Sequence, residues 1–293
     1  MWAEFLQVSR GLSPHTVAAY HADVAAFFAY GNTLAATRTQ VENWLKTLAA
    51  KHENPRSTAR RLSALRQFFQ FAQNRGWVAE NPTTQVPLPK MPHTLPKALS
   101  EEQVHALLQA PLGHGPAEVR MRLMLQLLYA TGLRVSELTR LTRSDVTEGE
   151  GVTLRVTGKG GKTRLVPLGE VAAETLESYI AESRPRLRGA QGPWLFPGPT
   201  GKQPLTRVRV FQVVKEAGAR VGVKVAPHHL RHTFATHLLT HAADLRAVQL
   251  MLGHSSLNTT QIYTQVATQK MKDTLNTLHP LARGPFAKPG KVR

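Results

Sequence analysis

A mainly α-helical protein of two domains, the second carrying a small antiparallel β-sheet, is the fold class that this sequence predicts. Apolar residues recur at helical spacing through most of the 293 residues. A proline-rich stretch over 82–98 interrupts that pattern, and over 151–168 the apolar period shortens to two around a Gly-rich turn. The length also suits two modest domains better than one large one.

The elements follow in order. Ser13-Pro14 supplies an N-cap and a proline for the first helical turn, and Val17, Tyr20, Val24, Phe27 and Phe28 continue at helical spacing. Val41, Trp44, Leu45 and Leu48 mark a second helix. A third starts after Asn54-Pro55, carries Leu62, Leu65, Phe68, Phe69 and Ala72, and stops near Gly76. Five prolines between 82 and 98 favour extended, solvated chain, so a helical domain over 1–84 is expected to end in a linker over 85–98. Ser100 opens the second domain (99–281) with S-E-E-Q, a capping-box pattern. The segment from Glu118 to Ala130 is apolar nearly all round, as a buried core helix is. Val152, Leu154 and Val156 alternate with polar residues before G-K-G-G and KTRLVPL, which reads as a β-hairpin. Helical spacing then returns to about Leu278, broken near Pro193 and Pro227. A basic, Gly- and Pro-containing tail over 282–293 is expected to be mobile.

Charge restricts the partners. Lys and Arg number 37 against 19 Asp and Glu, a formal net charge of +18. The self-repulsion of such an excess points to a polyanion, and nucleic acid leads. Between Asn54 and Ala79 stand Arg56, Arg60, Arg61, Arg66 and Arg75 with no acid in that interval. Arg56, Arg60, Arg61 and Arg66, with Lys90 and Lys97 of the linker, are the candidate phosphate contacts. There is no cysteine, which removes disulfides, thiolate nucleophiles and Cys-ligated zinc. No apolar run reaches the ~18 residues that span a bilayer, and the first residues lack a secretory pattern. A cytoplasmic protein without membrane partners is expected.

Four segments carry the chemistry. In PHHLRHTFATH (227–237), His228 and Arg231 stand three apart near a helix start, where an imidazole, a guanidinium and free N–H groups suit an anion. The same segment offers His228/His232 and His237/His241 at the spacing that zinc proteins use, but the glutamate of an H-E-x-x-H motif is missing. In ATGLRVSEL (130–138), Arg134 and Glu137 are either a surface ion pair of little value or a guanidinium fixed at the end of a rigid helix. GKGGKT (158–163) is not a Walker loop: Val156 holds the position of its first glycine, and a strand follows where a helix is needed. It leaves Lys159 at a hairpin tip. In LGHSSLNTTQIYT (252–264), His254 and Tyr263 are nine apart, and a tyrosine on an amphipathic helix is more often packing than chemistry.

Taken together, the order Arg, Lys, His-x-x-Arg, His, Tyr resembles the tyrosine recombinases, in particular the Xer type, bacterial relatives of phage integrases. GKGGKTRLVPLG, PHHLRHTFATHLL, LPKALSEEQVHALLQAP and SPHTVAAYHADV share the likeness, which covers the chain apart from the tail after about Leu281. The resemblance implies an N-terminal SAM-like core-binding domain and a C-terminal catalytic domain that clamp double-stranded DNA. It implies that Arg134 and Arg231 hold the scissile phosphate and that Tyr263 is the nucleophile. His228 would be the general base and Lys159 the acid on the leaving 5′-hydroxyl, with His254 on the phosphate and Glu137 supporting Arg134. It implies no cofactor and no metal.

It further implies a tetramer on two synapsed sites, homomeric or shared with a paralogous recombinase, with residues about 267–278 docked on a neighbour. A septal DNA translocase is an implied partner, and resolution of chromosome dimers at a dif-like site the implied role. A mobile-element or phage integrase, a type IB topoisomerase and a non-cutting DNA-binding protein are the alternatives.

Overall fold

The computed structural model describes residues 1–89, 98–147, 149, 151–158, 161–241 and 273–283. The chain forms two compact units, Met1–Leu95 and Pro96–Arg293.

The N-terminal unit is helical. A short α1 (Trp2–Glu4) runs into a π-turn, followed by α2 (Pro14–Ala29), α3 (Arg38–Ala50) and α4 (Pro55–Asn74). Local chemistry sets the starts. Ser13 Oγ accepts the Thr16 N–H at 3.3 Å, Thr37 and Gln40 form a capping box, and Asn54 accepts the Arg56 N–H at 2.9 Å. The helices enclose Phe27, Val41, Trp44, Leu62, Leu65 and Phe69. Phe27 meets Trp44 edge-on with ring centroids 5.2 Å apart, the arrangement that aromatic quadrupoles favour. The proline-rich segment departs from expectation at its start. Thr83 is buried, and Val86, 2% exposed, packs in the helical core. Proline density disfavours helix and sheet, but it does not keep a single valine out of a core.

The second unit is organised round one helix. After α5 (Glu101–Gln109) comes α6 (Pro116–Thr131), on which Leu123, Met124, Leu125, Leu127, Leu128 and Tyr129 are fully buried. Its all-round apolar surface is covered by α5, α7 (Val135–Arg140), α8 (Glu170–Ser178), α9 (Arg207–Arg220) and α10 (Pro227–Thr240). The predicted hairpin is β2 (Thr153–Thr157) paired antiparallel with β3 (Thr163–Pro167); a two-residue β1 (Val146–Thr147), which the sequence did not signal, joins the edge of β2. Leu154, Val156 and Val166 face inward, and so does Arg164, which lies opposite Val156. The helical spacing expected beyond 170 gives way between α8 and α9 to an irregular stretch. There the buried Arg184 guanidinium donates to the carbonyls of Ala190, Gly192 and Trp194.

The first described residues of this unit are tied to α10. The Leu99 N–H donates to Thr233 Oγ1 at 3.1 Å, and the Leu99 carbonyl accepts from His237 Nε2 at 2.8 Å. A carbonyl can only accept, so Nε2 carries the proton. Nδ1 is then free to accept from the Tyr129 hydroxyl, 2.9 Å away. Burial pushes the His237 pKa down, in keeping with this neutral ring. Both ring nitrogens are therefore occupied, and the His237/His241 pair is not arranged as two metal ligands. Among the described residues no group of three His, Asp or Glu side chains could hold a metal ion, and no helix is long and apolar enough to cross a membrane.

Candidate active site

Gly132 ends α6 in the left-handed conformation, with φ of 61°. That turn lets α7 start three residues later, at Val135, with Arg134 at its N-cap. Glu137, in the first turn of α7, receives four hydrogen bonds. Oε2 accepts the Arg134 backbone N–H at 2.8 Å and Arg164 Nη2 at 2.9 Å, while Oε1 accepts Arg134 Nη1 at 2.9 Å and Arg164 Nη1 at 3.0 Å. The side chains of Glu137 and Arg164 are 3% and 6% exposed, whereas that of Arg134 is 42% exposed. One guanidinium is thus a buried strut and the other reaches solvent. Of the two readings open for Arg134 and Glu137, the geometry matches the held guanidinium. Burial alone would push the Glu137 carboxyl up, but the hydrogen bonds and charge of Arg164 and Arg134 outweigh it and hold it below the usual carboxylate range.

Arg231 comes to the same place from α10. Its Nη1 donates to the carbonyl of Gly132. Burial, reinforced by the charges of Arg134 and Arg164 and opposed by Glu137, pushes its pKa down to about 10, so it stays protonated near neutrality. These four side chains set three guanidiniums against one carboxylate in a partly desolvated corner, where an excess of positive charge favours a bound anion. His228 stands one turn before Arg231, exposed, in the first turn of α10 behind Pro227. Its ring lies 4.2 Å from that of His229.

The hairpin also reaches this corner. A Cβ at Gly158 would sit 3.4 Å from Glu137 Oε1 and 3.6 Å from Arg164 Nη1. Lys159, His254 and Tyr263 lie outside the described residues, as do Lys90 and Lys97.

The arginines of α4 look different in the structure than in the sequence. Arg60 pairs with Asp23, Arg61 Nε bonds Glu53 at 2.9 Å, and Arg66 bonds the carbonyl of Val86. Each has a partner within its own unit, so the row is in part a set of struts, while Arg56 is exposed. Sequence reasoning assigned no role to Arg164. The signal available was an arginine at an inward position of a strand, in step with Val166.

Residues 97–270 match the phage integrase family, and residues 1–76 match the phage integrase N-terminal SAM-like domain. The chain is 43% identical to the tyrosine recombinase XerD of Vibrio cholerae serotype O1 over 294 aligned positions, covering 96% of this chain and 94% of the relative. It is 44% identical to the tyrosine recombinase XerD of Proteus mirabilis, covering 93% and 90% of the two chains. Among solved structures, the integrase of mycobacterium phage Brujita is 31% identical with a TM-score of 0.53, covering 95% and 91%. XerH recombinase bound to palindromic difH substrate has a TM-score of 0.69 at 23% identity, covering 92% and 81%, a likeness of fold. With both domain models matched in order and relatives above 40% identity along nearly its whole length, the chain belongs to the phage integrase family, as a tyrosine recombinase of the Xer type.

Proposed function

We propose that this enzyme cuts and rejoins double-stranded DNA at a specific site through a 3′-phosphotyrosyl bond to Tyr263, and that it resolves chromosome dimers at a dif-like site. The observation that carries the reading is the guanidinium cluster. Arg134 is braced by Glu137 and Arg231 is fixed on the Gly132 carbonyl, which supports reading them as two forks that grip the scissile phosphate. Such forks bind the non-bridging oxygens and offset the charge that grows in a pentavalent transition state. Tyr263 attacks phosphorus, the bond to O5′ breaks, and Lys159 delivers a proton to the leaving oxygen. His228 serves as base and His254 bonds the phosphate. The phosphodiester energy is stored in the tyrosyl link, so a second 5′-hydroxyl can attack in reverse without ATP.

The likeness to XerD proteins supports a chromosomal role over that of a mobile-element integrase, for which the 31% identity to a phage integrase is the specific argument. The reading includes a tetramer on two sites, built from this chain alone or with a paralogue, and control by a septal DNA translocase in the cytoplasm. The solved lambda integrase tetramer on a Holliday junction has a TM-score of 0.68 to this chain at 20% identity, which is consistent with such an assembly at the level of fold.

Covalent capture tests the proposal. Protein is incubated with fragmented host DNA, denatured in detergent, and the retained fragments are sequenced. Retention should converge on one short site of palindromic character, with the adduct mapped to the peptide that holds Tyr263. Fragments without a common sequence would indicate a topoisomerase, and no retention by this chain, either alone or with a paralogous recombinase added, would refute the proposal. Affinity for that site should fall steeply between ~50 and ~200 mM salt as released counterions accumulate. A flat response measured by fluorescence anisotropy would contradict a clamp that touches many phosphates.

A further inference from the structure

We propose that Arg164 is a positioning residue for DNA cleavage: by binding Glu137 through both terminal guanidinium nitrogens, it fixes the carboxylate that aims Arg134 at the scissile phosphate. The proposal rests on reading Arg134 as a ligand of that phosphate.

The geometry separates the two arginines by role. Arg164 is 6% exposed on an inward position of β3, too deep to reach a phosphate on a duplex. Arg134 is 42% exposed at the N-cap of α7, on the open side of the same carboxylate. Glu137 lies between them, and its two oxygens divide their bonds evenly between Arg164 and Arg134. A carboxylate held by one partner can swing about its side-chain torsions. One clamped in a bidentate fork from a rigid strand cannot. Arg164 therefore links the sheet to α7 and sets where the Arg134 guanidinium stands. Gly158, on the same hairpin, lies beside this carboxylate and guanidinium, close enough that a Cβ there would touch both.

The arrangement has a titration signature that packing alone lacks. Among the described residues, the charged groups facing Glu137 are Arg134 at the start of α7, Arg164 on β3 and Arg231 on α10. Glu137 is almost fully buried, and burial raises a carboxyl pKa; the arginines reverse that sign. Removing Arg164 removes two of the four hydrogen bonds and one charge that lower this pKa, while the burial that raises it stays, so the Glu137 pKa should rise. A Glu137 that takes up a proton more readily accepts less well from Arg134, so Arg134 should be less firmly held as pH falls.

The test is single-turnover cleavage of a nicked duplex carrying the captured site, at saturating DNA, from pH ~5.5 to pH ~9. Arg164→Met should bind DNA about as wild type does. At the acid end it should cleave about 10²-fold more slowly, the scale for losing one aligned donor to a transition state. Its rate should climb with pH along a limb that wild type lacks. Arg164→Lys keeps the charge but not the fork, so its limb should lie at lower pH with a smaller loss. Glu137→Gln should be slow across the range without the limb, since an amide does not titrate.

Parallel pH profiles for wild type and Arg164→Met, whatever their height, would overturn the role. If Arg164→Met does not fold, the comparison of Arg164→Lys with wild type decides by the same limb. A wild type that cleaves normally beside an unaffected Arg164→Met removes this inference alone. A wild type that forms no tyrosyl adduct removes the reading of the site as well.

Discussion

Replacing Tyr263 with phenylalanine should abolish every covalent protein–DNA adduct while leaving DNA affinity within about twofold of wild type. The substitution removes a single phenolic oxygen. The sequence-independent part of the affinity comes from many Lys and Arg contacts to phosphate, for which a net charge of +18 is ample. Loss of a nucleophile typically costs on the order of 10⁶ in rate, so the variant should fall below detection. Filter retention after detergent denaturation measures the adduct, and anisotropy measures the affinity. A chain that binds DNA without cutting would give the same result for both proteins, with no adduct from either. An adduct that persists in Tyr263→Phe would mean that another side chain is the nucleophile.

Glu137→Ala should destabilise the catalytic unit by ~3–5 kcal/mol, the usual cost of removing one partner from a buried ion pair. The loss is large because the guanidinium left behind, Arg164, is almost fully buried and loses both of its bonds to the carboxylate, while the Arg134 backbone N–H loses its acceptor. Its pH dependence follows from the depressed Glu137 pKa. The contribution of this carboxylate is complete above its pKa in the unfolded chain and is lost as pH falls through the lower folded value. Guanidinium titrations followed by circular dichroism should therefore show a gap between wild type and Glu137→Ala that is full near pH ~7 and narrows only below the ordinary carboxylate range. A gap that stays constant into strong acid would show that charge is not its source.

How much of this could be read in the sequence depended on the range of the interaction. The starts of α2, α4 and α5 were legible because Ser13, Asn54 and Ser100 act on N–H groups two or three residues away. The hairpin was legible because strand periodicity is local, whereas β1 is too short to show a period. Arg60, Arg61 and Arg66 drew attention as an acid-free row, yet their partners are Asp23, Glu53 and the carbonyl of Val86, all three outside the stretch in which the row was read and one of them a backbone group. Arg164 failed to register for the same reason. Its meaning lies in Glu137, which is 27 residues away and on a different element. The candidate catalytic set was legible by family likeness more than by local physics, and Lys159, His254 and Tyr263 lie outside the described residues.

The hold of α10 on Leu99 bears on how the catalytic unit is made. Thr233 and His237 lie 134 and 138 positions beyond the residue whose backbone they bind. While the chain is being synthesised, the amide and carbonyl of Leu99 have no native partners until α10 has left the ribosome, and α6 lacks its cover from α9 and α10 until the same moment. Contacts of such separation close large loops and form late. The first strand and helices of this unit must therefore wait, partly uncovered, for its last ones, and the unit cannot be assembled in halves. The N-terminal helices face no such delay, since the partners of their core lie within the first 86 residues.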